Sequence, residues 1–168
     1  MQQRCVLGVD IGDVIVANSV EKLERWEPGF EEWFLSRGEV PGAIASIAEL
    51  ARCPFEGRVH VISKRRPETN ELTLEWLRRR GFFTQVGIPE SHVHFCRRRE
   101  EKHPICQAYG VTHFVDNRLE VLSYLETVSY RFLLNAQEEE VDTFCHALPQ
   151  VVRVANWNEI VRHITTHP

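Results

Sequence analysis

Residues 4–18 read RCVLGVDIGDVIVAN, and the fold turns on how this stretch is understood. Cys5, Val6, Leu7 and Val9 make a near-continuous apolar run that ends on Asp10, followed by Gly12 and a second acid, Asp13. Strands of parallel sheets read this way because both their faces are covered. An Asp at the end of such a strand, with a Gly close behind, stands where open α/β sheets place their ligands. Taken alone, Asp10 and Gly12 also describe an ordinary turn, so the rest of the chain has to decide.

Working outward, apolar runs and helical patterns alternate. GRVHVISK, SHVHFCR, THFVDNR, YRFLLN and VVRVANW read as further strands. VPGAIASIAELARC is a helix with Pro41 near its start and Ile44, Ile47, Ala48 and Ala51 on one face. PETNELTLEWLRRRGF is a second, with Gly81 just past its end, and EEKHPICQAYG a third, stopped by Gly110. LEVLSYLETV and WNEIVRHITT are helical, and EEEVDTFCHAL is a loop or helix. VEKLERWEPGFEEWFLSRG predicts one or two short helices broken near Pro28-Gly29. This alternation predicts a three-layer, doubly wound parallel α/β sheet. Right-handed crossovers then bring all the strand ends to one face. Those ends carry Asp10, Ser63-Lys64, Arg97-Arg98-Arg99 and Asp116-Asn117.

Two carboxylates brought together repel unless a cation lies between them. With a carbonyl and waters they suit Mg²⁺, a cation that prefers oxygen ligands. A hydroxyl (Ser63) and an ammonium (Lys102) bind phosphate oxygens, and a carboxylate is an established nucleophile toward phosphorus. The set therefore points to phosphoryl transfer.

Bulk properties agree with a soluble enzyme of ordinary composition. The chain has 168 residues, 43% hydrophobic and 26% charged, with a net charge of −4 that gives no global attraction to nucleic acid. Its length predicts one domain over 1–168. No apolar run approaches the ~18 residues of a membrane span and no signal-peptide pattern opens the chain, which predicts a cytoplasmic protein. Cys5, Cys53, Cys96, Cys106 and Cys145 form no C-x-x-C pair and read as reduced core thiols. The eight histidines, His167 among them, show no zinc spacing. Arg78, Arg79 and Arg80 end a helix at the far side of the sheet and read as structural. Lys64-Arg65-Arg66 and Arg97-Arg98-Arg99 follow strands and predict a locally positive mouth.

The parts VLGVDIGDVIV, VHVISK, REEKHPICQAYG and THFVDNR, in that order, resemble the four-part signature of the haloacid dehalogenase-like (HAD) phosphohydrolases. The resemblance covers about residues 4–125, and VVRVANWNEIVRHI looks like the closing strand and helix of nucleotidase-like members, near the small bacterial relatives of 5′(3′)-deoxyribonucleotidases. It implies Asp10 as nucleophile, Lys102 as the cation neutralising nucleophile and phosphate, and Ser63 as a phosphate ligand, with Lys64, Arg65 and Arg97 around the substrate. It implies Mg²⁺ held by Asp10, the Gly12 carbonyl, Asp116 and Asn117. Two departures stand out. The family commonly has an acid at position 12, as general acid and base, whereas here Gly12 stands there and Asp13 is the acid that would have to serve. Asn117 replaces a frequent second acid. Residues 18–40, where related enzymes insert a cap domain, are long enough only for a rudimentary cap or lid. The resemblance implies a Mg²⁺-dependent phosphatase of a phosphomonoester, a nucleotide among the candidates, working through an aspartyl-phosphate. A catalytically impaired relative binding a phosphorylated ligand or a protein partner is the alternative. A nucleic-acid end phosphatase is a weaker third reading, and homo-oligomerisation stays open.

Overall fold

The computed structural model describes residues 4–18 and 22–166. The part of the expected cap at 19–21, and His167, lie outside these described residues. Six parallel strands form the sheet: β1 (Leu7–Val9), β2 (Val59–Lys64), β3 (Val93–Cys96), β4 (His113–Asp116), β5 (Tyr130–Leu134) and β6 (Val151–Val154). Their spatial order is β3-β2-β1-β4-β5-β6, so the chain winds outward from β1 in one direction and then in the other. This is the doubly wound sheet expected from the alternating pattern.

Successive strand residues point to opposite faces, and the apolar runs supply both. Leu7, Val9, Val59, Val61, Val115, Phe132 and Leu134 join one core cluster. Val6, Ile62, Phe114 and Leu133 join the other. The first cluster is covered by α1 (Phe30–Ser36), α2 (Ala43–Arg52), α3 (Asn70–Arg79), α4 (Phe82–Val86) and α8 (Trp157–Thr166). The second is covered by α5 (Lys102–Ala108), α6 (Leu119–Tyr124) and the segment from α7 (Glu138–Val141) through a 3₁₀ turn at Cys145–Gln150. Ile44, Ile47, Ala48 and Ala51 of α2 are all buried, as their spacing predicts. Gly8 stands beside Phe114 of the neighbouring strand β4, and a Cβ there would lie 2.4 Å from the Phe114 ring, which is why the central strand carries a glycine at that position.

Several expectations need correction. The cysteines are all free thiols, but Cys53 and Cys145 are exposed and only Cys96 and Cys106 are buried. Both exposed ones sit in connections, where apolar neighbours in sequence do not imply a covered position. The helix ending at Gly81, which has φ +66°, is followed at once by α4, whose Phe82 and Val86 are buried. Between Asn18 and Glu39 the described residues hold one helix, α1, entered through Gly29 at φ +82°. Its Phe34 is buried, while Phe30 and Trp33 pack on the same core and Trp26 is 72% exposed. The arginines at the end of α3 are structural as expected. Arg78 pairs with Glu71 and Glu90, Arg79 pairs with Glu75, and the Arg80 Nη2 donates to the Arg37 carbonyl.

Three of the histidines, His60, His92 and His94, form a stack. His60 lies 4.4 Å from His92 and 5.2 Å from His94 between ring centroids, with Tyr109 against both His60 and His94. Nδ1 of His60 and Nε2 of His94 are 3.0 Å apart and share one proton between neutral rings. Burial, then His92 and His94, push His60 down to about 4, and burial alone pushes His113 to about 4. An unfolded His binds its proton near 6.5, so between pH 4 and that value the unfolded chain binds more protons than the folded one. The contribution of these two histidines is therefore complete above about pH 6.5 and is lost as pH falls toward 4. His60→Phe should accordingly be less destabilised than the parent when the urea midpoint is compared between pH 7 and pH 5. An unchanged pH difference in that variant would show that the stack does not carry it.

Candidate active site

The sheet register builds the site. Val9 stands beside Val115 in β4 and beside Val61 in β2. One step further along, Asp10 therefore emerges next to Asp116 on one side and near Ser63 on the other. The Asp10 amide still donates to the Val115 carbonyl at 3.0 Å, which holds the turn to the strand end. Asp116 is fully buried, Ser63 is 2% exposed and Asp10 8% exposed.

Lys102, the first residue of α5, is inserted between the two carboxylates. Its Nζ donates to Asp10 Oδ1 at 2.9 Å and to Asp116 Oδ2 at 2.7 Å. This is the cation that two adjacent carboxylates require. Burial alone would pull the ammonium down, but the two carboxylates outweigh it and hold Lys102 above its ordinary value. Burial pushes Asp116 up, and Asp10 adds to this while Lys102 opposes it, leaving Asp116 at about 7. The remaining oxygen of Asp116, Oδ1, accepts the Arg118 amide at 3.0 Å. Among the described residues Oδ2 of Asp10 accepts no hydrogen bond, which leaves it free toward a ligand.

A cavity of about 160 Å³ opens above this triad. Asp10, Gly12, Asp13, Ser63, Lys64, Arg65, Lys102, Asp116 and Asn117 all line it, so the structure unites every expected site residue except Arg97. Arg97 lines an adjoining depression of about 560 Å³ with Lys64, Arg65 and Arg66. Of the other two arginines in its run, Arg98 is paired with Glu101 and Arg99 with Glu120. The positive mouth is thus made chiefly by the run after β2.

Asp13 takes a left-handed conformation, φ +57°. Its Oδ1 accepts the Asn18 amide at 3.0 Å and its Oδ2 accepts the Asn18 side-chain N–H. The Asn117 Nδ2 also approaches Oδ2, at 3.5 Å. The carboxylate of Asp13 is thus occupied as an acceptor. From the opposite side Asn135 Nδ2 donates to the Asp13 carbonyl at 2.9 Å, and Trp157 Nε1 donates to the Val14 carbonyl at 2.8 Å. These loop contacts of Asn18, Asn135 and Trp157 had no signature in the sequence, since each depends on a side chain meeting a distant backbone.

Oxygen donors, not nitrogen or sulfur, dominate the cavity floor. Among the described residues no group of three His, Cys, Asp or Glu side chains is arranged to hold a metal ion. Two carboxylates, the Gly12 carbonyl and the Asn117 amide oxygen fit a hard cation that keeps several waters, which is the habit of Mg²⁺. They do not fit zinc. No helix among the described residues is long and apolar enough to cross a membrane.

Comparison with known proteins agrees with the fold. No family model matches the chain. The "Putative nucleotidase OB0422" of Oceanobacillus iheyensis is 23% identical over 156 residues, spanning 92% of this chain and 77% of that protein. Among solved structures, "a putative haloacid dehalogenase-like hydrolase" from Burkholderia xenovorans superposes with a TM-score of 0.62 at 12% identity, over 95% of this chain and 96% of that one. The D,D-heptose 1,7-bisphosphate phosphatase from Burkholderia thailandensis superposes with a TM-score of 0.58 at 11% identity, over 96% and 98%.

Removing Lys102 leaves two buried carboxylates without compensation, and breaking a buried pair this way costs ~3–5 kcal/mol. Lys102→Met should lower the urea midpoint accordingly. Adding Asp116→Asn to that variant should recover part of the loss. A Lys102→Met protein as stable as the parent would show that the lysine is not what balances the site.

Proposed function

For a chain with the fold of the haloacid dehalogenase-like hydrolases, we propose the activity of a Mg²⁺-dependent phosphatase of a phosphomonoester. The observation that carries this reading is the Lys102 ammonium bridging Asp10 and Asp116 on the floor of a cavity that also exposes Ser63. Asp10 attacks phosphorus, forming an aspartyl-phosphate as the bond to the leaving oxygen breaks; water then attacks phosphorus and restores the carboxylate. Lys102 and Ser63 hold the phosphoryl oxygens, and Lys64 and Arg65 add positive charge at the mouth. Asp10, Asp116, the Gly12 carbonyl and Asn117 are the residues that would hold Mg²⁺. When bound, it supplies positive charge against the carboxylates and the phosphoryl oxygens. Segment 18–40 serves as a rudimentary lid on an otherwise single domain. A nucleotide is the substrate favoured by the relative described as a nucleotidase.

The leaving oxygen needs a proton, and no side chain at position 12 supplies it. Asp13 lines the cavity, yet its oxygens already accept N–H groups of Asn18 and Asn117. Proton donation from Asp13 requires those bonds to open. This observation favours low turnover, and it also supports the second reading, an impaired relative that binds a phosphorylated ligand.

Two experiments separate the readings. Asp10→Asn keeps shape but removes the attacking charge, and phosphate release in the presence of Mg²⁺ should fall to background; retained activity would exclude the covalent route. The exchange Gly12→Asp with Asp13→Gly suits the backbone, because a Cβ at position 12 meets nothing within 4 Å and position 13 has the positive φ that glycine adopts freely. Acid–base groups contribute ~10²–10⁴-fold, so this variant should turn over alkyl phosphates at least ~10²-fold faster, with little change on activated aryl phosphates. No gain on alkyl phosphates in a folded protein would mean either that Asp13 already serves as the acid or that the chain does not hydrolyse phosphate, and Asp13→Ala decides, because only the first case predicts a loss of activity.

A further inference from the structure

We propose that Arg37 and Arg65 form a subsite for a second anionic group, a phosphate or carboxylate, carried by the same substrate whose phosphoryl group sits over Asp10. The inference deepens the phosphatase reading and rests on it for the placement of the first phosphate.

The starting observation is a pair of unsatisfied cations. Nε and Nη2 of Arg65 and Nη2 of Arg37 are shut off from solvent and have no hydrogen-bond partner among the described residues. Buried polar groups in folded proteins are almost always partnered, and a buried charge without a counter-ion is costly. Among the described residues neither guanidinium forms a salt bridge, although the surface arginines 78, 79, 98 and 153 all do. The two also oppose each other. Burial first, and then the charge of Arg65, push Arg37 down to about 10, with Asp13 only partly offsetting this. Asp10 acts on Arg65 in the same partial way; two like charges placed together, with acids nearby but none in an ion pair with them among the described residues, are arranged for an anion that comes from outside.

Both side chains line a cavity of about 250 Å³ together with Asn18, Lys22, Phe30 and Trp33. Arg65 also lines the central cavity over Asp10, so the two spaces meet at its guanidinium. Arg37 does not line that central cavity, which separates its role from binding of the reacting phosphate. It is held ready by contacts that leave its charge unanswered. Nε donates to the Phe34 carbonyl at 3.3 Å, and the guanidinium carbon lies 4.0 Å from the Phe34 ring centroid and 5.4 Å from that of Trp33. The backbone carbonyl of Arg37 accepts Trp76 Nε1 at 2.9 Å and Arg80 Nη2 at 2.6 Å, tying the segment to α3. Planar guanidinium forks match carboxylate and phosphate geometry with two parallel hydrogen bonds. One carboxyl of the wall, Glu24, forms no ion pair with either arginine.

The test uses matched probes on the Asp10→Asn protein, in which they stay intact, and reads affinity by calorimetry. Fructose 1,6-bisphosphate is compared with fructose 6-phosphate, and 6-phosphogluconate with glucose 6-phosphate. At least one doubly anionic probe should bind ~10-fold or more tightly than its partner, the scale set by hydrogen bonds to charged groups. The two pairs tell phosphate from carboxylate. Arg37→Gln should remove most of that ratio, and Arg37→Lys should restore part of it by keeping the charge without the fork. Melting temperatures of both variants check that they are folded. A ratio near one in both pairs, or a ratio unchanged in Arg37→Gln, overturns the subsite while leaving the phosphatase reading intact. Conversely, an Arg37-dependent ratio in a parent protein that releases no phosphate keeps the subsite and removes the hydrolytic reading. No binding of any of the four probes overturns the subsite, while phosphate release by the parent protein decides the phosphatase reading separately.

Discussion

Two carboxylates fixed side by side at the centre of a sheet are an unstable arrangement until a positive charge is placed between them. The ladder between β1 and β4 leaves no choice about their closeness, because backbone hydrogen bonds set it before any side chain is considered. Lys102 resolves the conflict from a third element, reaching in from the start of α5 to touch both acids. Three crossovers therefore have to be correctly wound before the charges balance. The same balance defines the chemistry. On the proposed reading, two acids with an ammonium at their centre suit a cation on one side and phosphoryl oxygens on the other. Burial and the neighbouring Asp10 raise the Asp116 carboxyl, and Lys102 is what opposes them.

Around this centre the loops are arranged by polar contacts that do not themselves reach the reacting position. Asn18 and Asn117 take up the Asp13 carboxylate, and Asn135 takes its carbonyl. The effect is to turn an acid that sequence places near the chemistry into a bracket for the loop that carries Gly12. The positive residues divide in the same way. Arg98 and Arg99 are spent on neighbouring glutamates, while Arg65 is kept without one. A protein of net charge −4 thus presents a locally cationic entrance, which attracts anions at short range where the global charge would repel them.

Much of this was legible in the residues themselves. Apolar runs ending in polar residues located β1, β2 and β4, and with them Asp10, Ser63 and Asp116, because a two-faced strand leaves no room for polar side chains until it ends. Gly81 and Gly110 marked helix ends by the left-handed backbone they adopt. What escaped was set by direction and not by order. Nothing in the spacing of Asp13 tells whether its carboxylate turns toward phosphate or toward Asn18. Arg37 belongs to no motif in the sequence, and only the fold brings it near Arg65. The exposure of Cys53 and Cys145 was hidden for a similar reason, since connections borrow apolar residues without burying them. Arg97 followed a strand as predicted, yet β3 is the edge strand, and its end lies off the central crevice.

The indole of Trp157 has a consequence for the timing of assembly. Its N–H closes on the Val14 carbonyl, so the last helix fastens the loop that follows the first strand. The two partners lie 143 residues apart in sequence, so the loop after β1 is braced only once α8 has docked against it. A chain with α8 displaced keeps the acidic loop without its brace. The shape of the Asp10–Asp13 corner and the docking of α8 are thereby joined in one hydrogen bond.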